Sequence, residues 1–172
     1  MVMPTGLKAS SSLVSIGFSL VEGGANTFTQ LQVDLNLSPL DREVFVVQAI
    51  NIDPSSPDAI AGVDSSTTAA VTSTRQTAVG NLGDANTIAV TQQKIMAAGF
   101  VDGGVSFTQA SLETPPSTMD YIAIIATNDF FVQVEGANNL APKGVSGKVY
   151  GYRARATADI FAALVQSEVL SA

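Results

Sequence analysis

Carboxylates are the only abundant side chains here able to do acid–base work: the 172 residues hold 15 Asp and Glu but no His, no Cys and no Trp. Without imidazole or thiol there is no histidine base, cysteine nucleophile, Cys/His zinc site, haem or iron–sulfur ligation, or disulfide. Glycosidases pair two carboxylates across a sugar bond. The acids in this chain instead fall singly and mostly in turns, at Asp53, Asp58, Asp64, Asp84 and Asp102, where aspartate is favoured because it bonds its own backbone. With three Tyr and no Trp there is little to stack a sugar ring. Asp53, Asp58 and Asp64 share one stretch, and Ca²⁺ prefers clustered oxygens, but the spacing fits no EF-hand and reads as a solvated loop. The serines have no partner base: neither a Ser-x-x-Lys nor a Gly-x-Ser-x-Gly arrangement occurs. Gly23-Gly24 and Gly103-Gly104 lack the companions of a phosphate loop. Asn36-Leu37-Ser38 has the form of a glycosylation sequon, at a strand end before Pro39. The expectation is a protein that is not an enzyme, with no cofactor and no metal.

One basic group stands out near the end, Lys143, Lys148, Arg153 and Arg155. On a strand, Arg153 and Arg155 share a face with Val149 and Gly151, while Tyr150 and Tyr152 point the other way. This is either a solvated face or a charged contact to a neighbouring subunit, since Arg and Tyr are enriched at interfaces. Four cations in a chain of net charge −7 argue against sequence-specific nucleic-acid binding.

These residues need elements to position them, and period-two alternation dominates. Val14, Ile16, Phe18 and Leu20 alternate with small polar residues, as do Leu31, Val33, Leu35 and Leu37. Pro39 ends the second run. Glu43 to Ile52 follows, and its Val44-Phe45-Val46-Val47 is apolar on both faces, as in a strand covered on both sides by a second layer or another molecule. Residues 53–67 read as loop, 68–76 as a strand, 77–86 as loop, 87–90 as a short strand, and 92–98 as a helical turn closed by Gly99. Strands are then expected at 105–111 and 120–127 around a loop at 113–118. Asn128-Asp129 turns directly into Phe130–Val134 as a hairpin. A loop at 136–147, a last strand at 148–157 and a C-terminal helix capped by Asp159 complete the chain. That helix places Ile160, Phe161, Leu164, Val165 and Leu170 on its apolar side.

No helical segment of useful length separates the strands. The pattern predicts one all-β domain over 1–172, an eight-stranded antiparallel β-sandwich of the single jelly-roll kind, with an N-terminal arm at about 1–12. The stretch from Lys8 to Val21 has some likeness to a signal peptide, but its alternation reads better as a strand. No apolar run reaches the ~18 residues of a transmembrane helix.

Two stretches carry a resemblance: Leu40-Asp41-Arg42-Glu43-Val44-Phe45-Val46-Val47, and Asp120-Tyr121-Ile122 through Thr127-Asn128-Asp129-Phe130-Phe131 to Tyr150-Gly151-Tyr152-Arg153-Ala154-Arg155. They resemble small single jelly-roll capsid proteins of uncultured marine viruses. The resemblance implies a shell-forming subunit, located in the virion, and transfers no catalytic residue.

Composition points the same way. Apolar residues make up 46 % and charged residues 13 %, against roughly a quarter charged in ordinary soluble domains. A surface so poor in charge suits burial against copies of itself or other coat proteins. Arg153, Arg155, Tyr150, Tyr152, Phe45 and Val47 are the expected contact residues. The alternative is a β-sandwich module that binds glycans or a cell surface, and a paired-carboxylate hydrolase comes third.

Overall fold

The computed structural model describes residues 3–100, 107–110 and 119–171. Ten strand segments and one helix follow in chain order: β1 (Leu7–Ala9), β2 (Val14–Val21), β3 (Thr29–Asp34), β4 (Glu43–Pro54), β5 (Ser65–Thr72), β6 (Thr87–Met96), β7 (Phe107–Ala110), β8 (Ala123–Ile125), β9 (Asp129–Ala137), β10 (Gly144–Ala156) and α1 (Ala158–Leu170). They build two antiparallel sheets. In the first, β4 and β10 form the centre, β8 flanks β4, and β1 and β2 occupy successive halves of the far side of β10. The second runs β3-β9-β5-β6-β7.

Taking β1 and β2 as one interrupted edge strand leaves nine strands and not the eight expected: eight stand in jelly-roll order and β7 is added at an edge. The interruption is local. Register passes from Ala9↔Ala154 to Val14↔Gly151, so four residues of the edge strand face two of β10. Ser10 and Ser11 donate their backbone N–H groups to Arg153 O, and the Ser11 hydroxyl accepts from Arg153 N–H.

The alternating apolar residues meet between the sheets. Phe18, Phe45, Val47, Val71, Phe130, Val132, Val134 and Val149 form the central core with Leu35 and Leu37. Phe18 meets Phe130 edge to face, with centroids 6.5 Å apart. The two-sided apolarity of β4 has a direct cause. Phe45 and Val47 face the opposite sheet, whereas Val44 and Val46 face outward beneath α1 with Tyr152 and Ala154. Ile160, Phe161, Leu164 and Val165 of α1 cover them, so the chain supplies both layers itself. Two glycines let β10 lie this close: a methyl group at Gly151 would sit 2.7 Å from the Phe45 ring, and one at Gly147 2.6 Å from that of Phe18.

Several sequence expectations are corrected. The 87–90 strand and the 92–98 helical turn are not separate elements: residues 87–96 form the single strand β6, because pairing along Ser65–Thr72 satisfies its backbone, and 97–98 follow it outside the strand. The strand expected at 120–127 shrinks to Ala123–Ile125. Asn128-Asp129 does not close a hairpin, since β8 lies in the first sheet and β9 in the second. β4 and β5 extend into the expected 53–67 loop, and β9 and β10 trim the 136–147 loop to 138–143. The cap of α1 is Thr157 and not Asp159, which lies in the first turn, where its charge favours the helix N-terminus. Leu170 is 76 % exposed and leaves the apolar face. The strand expected at 105–111 is described only over 107–110, and the 113–118 loop lies outside the described residues.

Candidate assembly surface

Strand direction places the connections at two ends of the sandwich. At one end, the loops after β2, β4 and β9 meet around two carboxylates. Continuing the inward rhythm of Ile16, Phe18 and Leu20 brings Glu22 between the sheets, only 4 % exposed. Its Oε1 accepts from Gly136 N–H at 2.6 Å and Thr27 N–H at 3.0 Å, and its Oε2 from Lys143 N–H at 2.7 Å. Asn26 and Asn139 exchange side-chain and backbone bonds between the loops, and Asn139 reaches Ser66 O and Asp58 N–H. Asn26 and Asn138 turn the chain through positive φ, which asparagine tolerates better than most residues.

In the Asp53–Asp64 stretch, Asp58 and Asp64 spend their carboxylates within the chain. Asp58 accepts from Leu140 N–H and the Lys143 ammonium at 2.6 Å, and Asp64 accepts from Ala97 and Ala98 N–H. The Lys143 bond, followed by that from Leu140, holds the Asp58 carboxyl below its usual range. Asp53 pairs in register with Ser146 on the outer sheet face. Among the described residues, no group of three His, Cys, Asp or Glu side chains is placed to hold a metal ion.

The basic group singled out in the sequence is not one patch. Lys143 lies at the first end and Arg153 near the other, about 33 Å apart at strand rise. Arg153 donates to Leu35 O and Asn36 O at 2.7 and 2.9 Å, with Glu43 Oε2 at 3.7 Å, closing the loop after β3. Arg155 is exposed and Tyr150 half-buried, both on the surface. Tyr152, Phe45 and Val47 lie inside this chain's own core. Burial, and then the Asp120 charge, raise the Tyr152 hydroxyl above its usual value, so it stays protonated at neutral pH.

Sequence reasoning passed over a second buried acid, Glu168. On α1 it follows Leu164 by one helical turn, on the apolar side, and its carboxylate accepts from Ala126 and Thr127 N–H at 2.7 and 3.0 Å. It thereby ties the helix to the crossing between β8 and β9. Asn86 bonds the Ser171 carbonyl at the helix end. Met3 and Leu7 pack on the same outer cluster, so this part of the N-terminal arm lies on its own chain. A cleft of about 470 Å³ remains between Met3–Leu7, Asp120-Tyr121 and the Ile160/Leu164 side of α1.

What stays bare is distinctive. α1 covers only the half of the outer sheet face nearest β1. The other half is a flat grid of Ser15, Gly17 and Ser19 on β2, Tyr150, Lys148 and Ser146 on β10, and Ala49, Asn51 and Asp53 on β4. Single leucines mark the loop tips at both ends: Leu140 after β9 is 81 % exposed and Leu40 after β3 is 96 % exposed. Leu82 is also exposed. Such residues give up roughly 1.5–3 kcal/mol of burial each while they face water. Among the described residues, no helix is long and apolar enough to cross a membrane.

No protein-family model, curated protein or solved structure matches this chain.

Proposed function

We propose that this chain is a structural coat subunit that associates with copies of itself into a virion shell. The observation that carries the reading is the jelly-roll strand order combined with almost fully exposed leucines at loop tips on both ends. The jelly roll is an architecture of viral capsid and lectin domains, and apolar contacts at both ends fit a subunit with neighbours in more than one direction. A surface with 13 % charged residues supports the same reading. Of the cations near the C-terminus, Lys143 and Arg153 are engaged within the chain, which leaves a small electrostatic footprint for a genome. Contact residues on this reading are Arg155, Tyr150 and the loop leucines, with other coat proteins as further neighbours.

The alternative on the same fold, a glycan- or cell-surface-binding module, has less to work with. Asp58 and Asp64 are committed to the chain's own donors, and Tyr150 is the sole aromatic on the open grid. Size-exclusion chromatography and electron microscopy of the purified chain separate the two. Closed, regular particles are expected. A species that stays monomeric across salt and concentration, and binds a glycan array saturably, would overturn the coat reading.

A further inference from the structure

The edges of the two sheets are protected unequally. On the first sheet, β8 offers only three residues. On the second, β3 ends in Asp34, directly opposite Asp129. Strand β2, by contrast, presents the eight residues Val14–Val21 with no charge and no proline, and among the described residues it pairs only with β10. Natural edges are normally blunted by shortness, charge or proline, and β2 has none of these.

The ladder fixes which groups are open. Glu22 N–H donates to Lys143 O, whereas Gly144, opposite Val21, spends its N–H and C=O on Ser55. In an antiparallel ladder the phase alternates, so the even-numbered residues of β2 bond β10. The N–H and C=O groups of Ser15, Gly17, Ser19 and Val21 point away from it.

We infer that β2 is a self-pairing edge, on which a second copy of this chain docks antiparallel about a twofold axis passing Phe18, joining the two sheets into one. This rests on the reading of the chain as a self-associating subunit. In that register Ser15 meets Val21 of the copy and Gly17 meets Ser19, so every open group on the strand finds a partner. The side chains agree. On the outer face only small residues and Val21 meet, and no like charges are opposed. On the inner face half-buried Ile16 and Leu20 lie opposite each other's copies on either side of Phe18, which continues the apolar row across the junction. A one-step shift would set these open groups against even-numbered residues whose N–H and C=O already bond β10, so the ladder phase excludes it.

The absence of cysteine from the chain makes the test clean. Hydrogen-bonded antiparallel pairs place Cα atoms ~5.5 Å apart, within disulfide reach, whereas residues 15 and 21 of one strand are about 20 Å apart. On mild oxidation the S15C/V21C double variant is expected to give a covalent dimer on a non-reducing gel, and S15C/S19C is not. In sedimentation from micromolar to near-millimolar concentration, Gly17→Pro is expected to weaken dimerisation roughly a hundredfold. It removes only an outward N–H, so the bonds to β10 remain. A monomeric wild-type chain, a silent S15C/V21C pair, or cross-linking by S15C/S19C instead would overturn the inference. The two exposed cysteine positions keep it testable even if the proline variant misfolds. Cross-linked dimers that never form shells would sink the coat reading alone, and shells without this cross-link would sink the edge alone.

Discussion

Replacing Glu22 by Gln tests whether one buried carboxylate locks the loop end of the sandwich. The exchange keeps size and shape, so any change reports hydrogen bonding rather than a cavity. A glutamine oxygen can still accept from Thr27 and Gly136 N–H, the two groups on Oε1. Its amide nitrogen then confronts Lys143 N–H, the group now 2.7 Å from Oε2, donor against donor. One backbone N–H is left without an acceptor, at about 1–3 kcal/mol, and the other two bonds lose the strengthening of a charged acceptor. A loss of about 2 kcal/mol is expected for Glu22→Gln, and about 3–5 kcal/mol for Glu22→Ala, which strands all three donors. For a chain of this size the first corresponds to a fall in Tm of roughly 4–8 °C. Urea unfolding followed by far-UV circular dichroism gives the free energies, and calorimetry the Tm. A Gln variant within about 0.5 kcal/mol of wild type, or an Ala variant no worse than Gln, would refute the reasoning.

Gly151→Ala places a methyl group against the Phe45 ring and Val46 O, and is expected to cost about 2–3 kcal/mol in the same unfolding assay. The Leu40→Ser/Leu140→Ser double variant should unfold within about 0.5 kcal/mol of wild type, because both side chains face water. Its particle yield by light scattering should nevertheless fall, and unchanged yield would remove loop tips from the assembly reading. The folded Asp58 carboxyl titrates below its ordinary 3.8, so its ion pair supports the fold above that pH and is lost as pH falls through the folded value. The stability gap between wild type and Asp58→Asn should therefore narrow in acid, as measured by urea midpoints at neutral pH and well below 3.8. Asp129 has the opposite sign: burial first, then Asp34 opposite, raise it, so stability drops as pH rises from 3.8 through the folded value. Asp129→Asn should raise stability at neutral pH by about 0.5 kcal/mol, with no gain in acid.

Much of the architecture was legible because its signals are short-range. Alternation in Val14–Leu20 marked β2, the two-sided run Val44–Val47 marked a strand covered on both faces, and the apolar spacing of Ile160, Phe161, Leu164 and Val165 marked α1. The two buried acids were visible in the same rhythms. Glu22 continues the inward phase of β2 and Glu168 the apolar side of α1, but each was passed over because a carboxylate on an apolar face was not followed to its donors. Errors came where pairing overrode local preference. Residues 92–96 suit a helical turn in isolation, yet as a strand they gain partners at Ser65–Thr68 of β5 and along β7.

The sequence by itself determined the chemical inventory and the class: no imidazole or thiol, few charges, and strands whose alternation demands two packed layers. Periodicity acts through neighbours on one strand or one helical turn, so it survives in the linear chain. Only the tertiary structure decided which strands are neighbours. It separated β8 from β9 across the sandwich, split Lys143 from Arg153 to opposite ends, and left β2 as the open uncharged edge. Those outcomes depend on contacts between residues far apart in the chain, such as Phe45 with Ile125 and Gly136 N–H on Glu22, and no local pattern encodes such a distance.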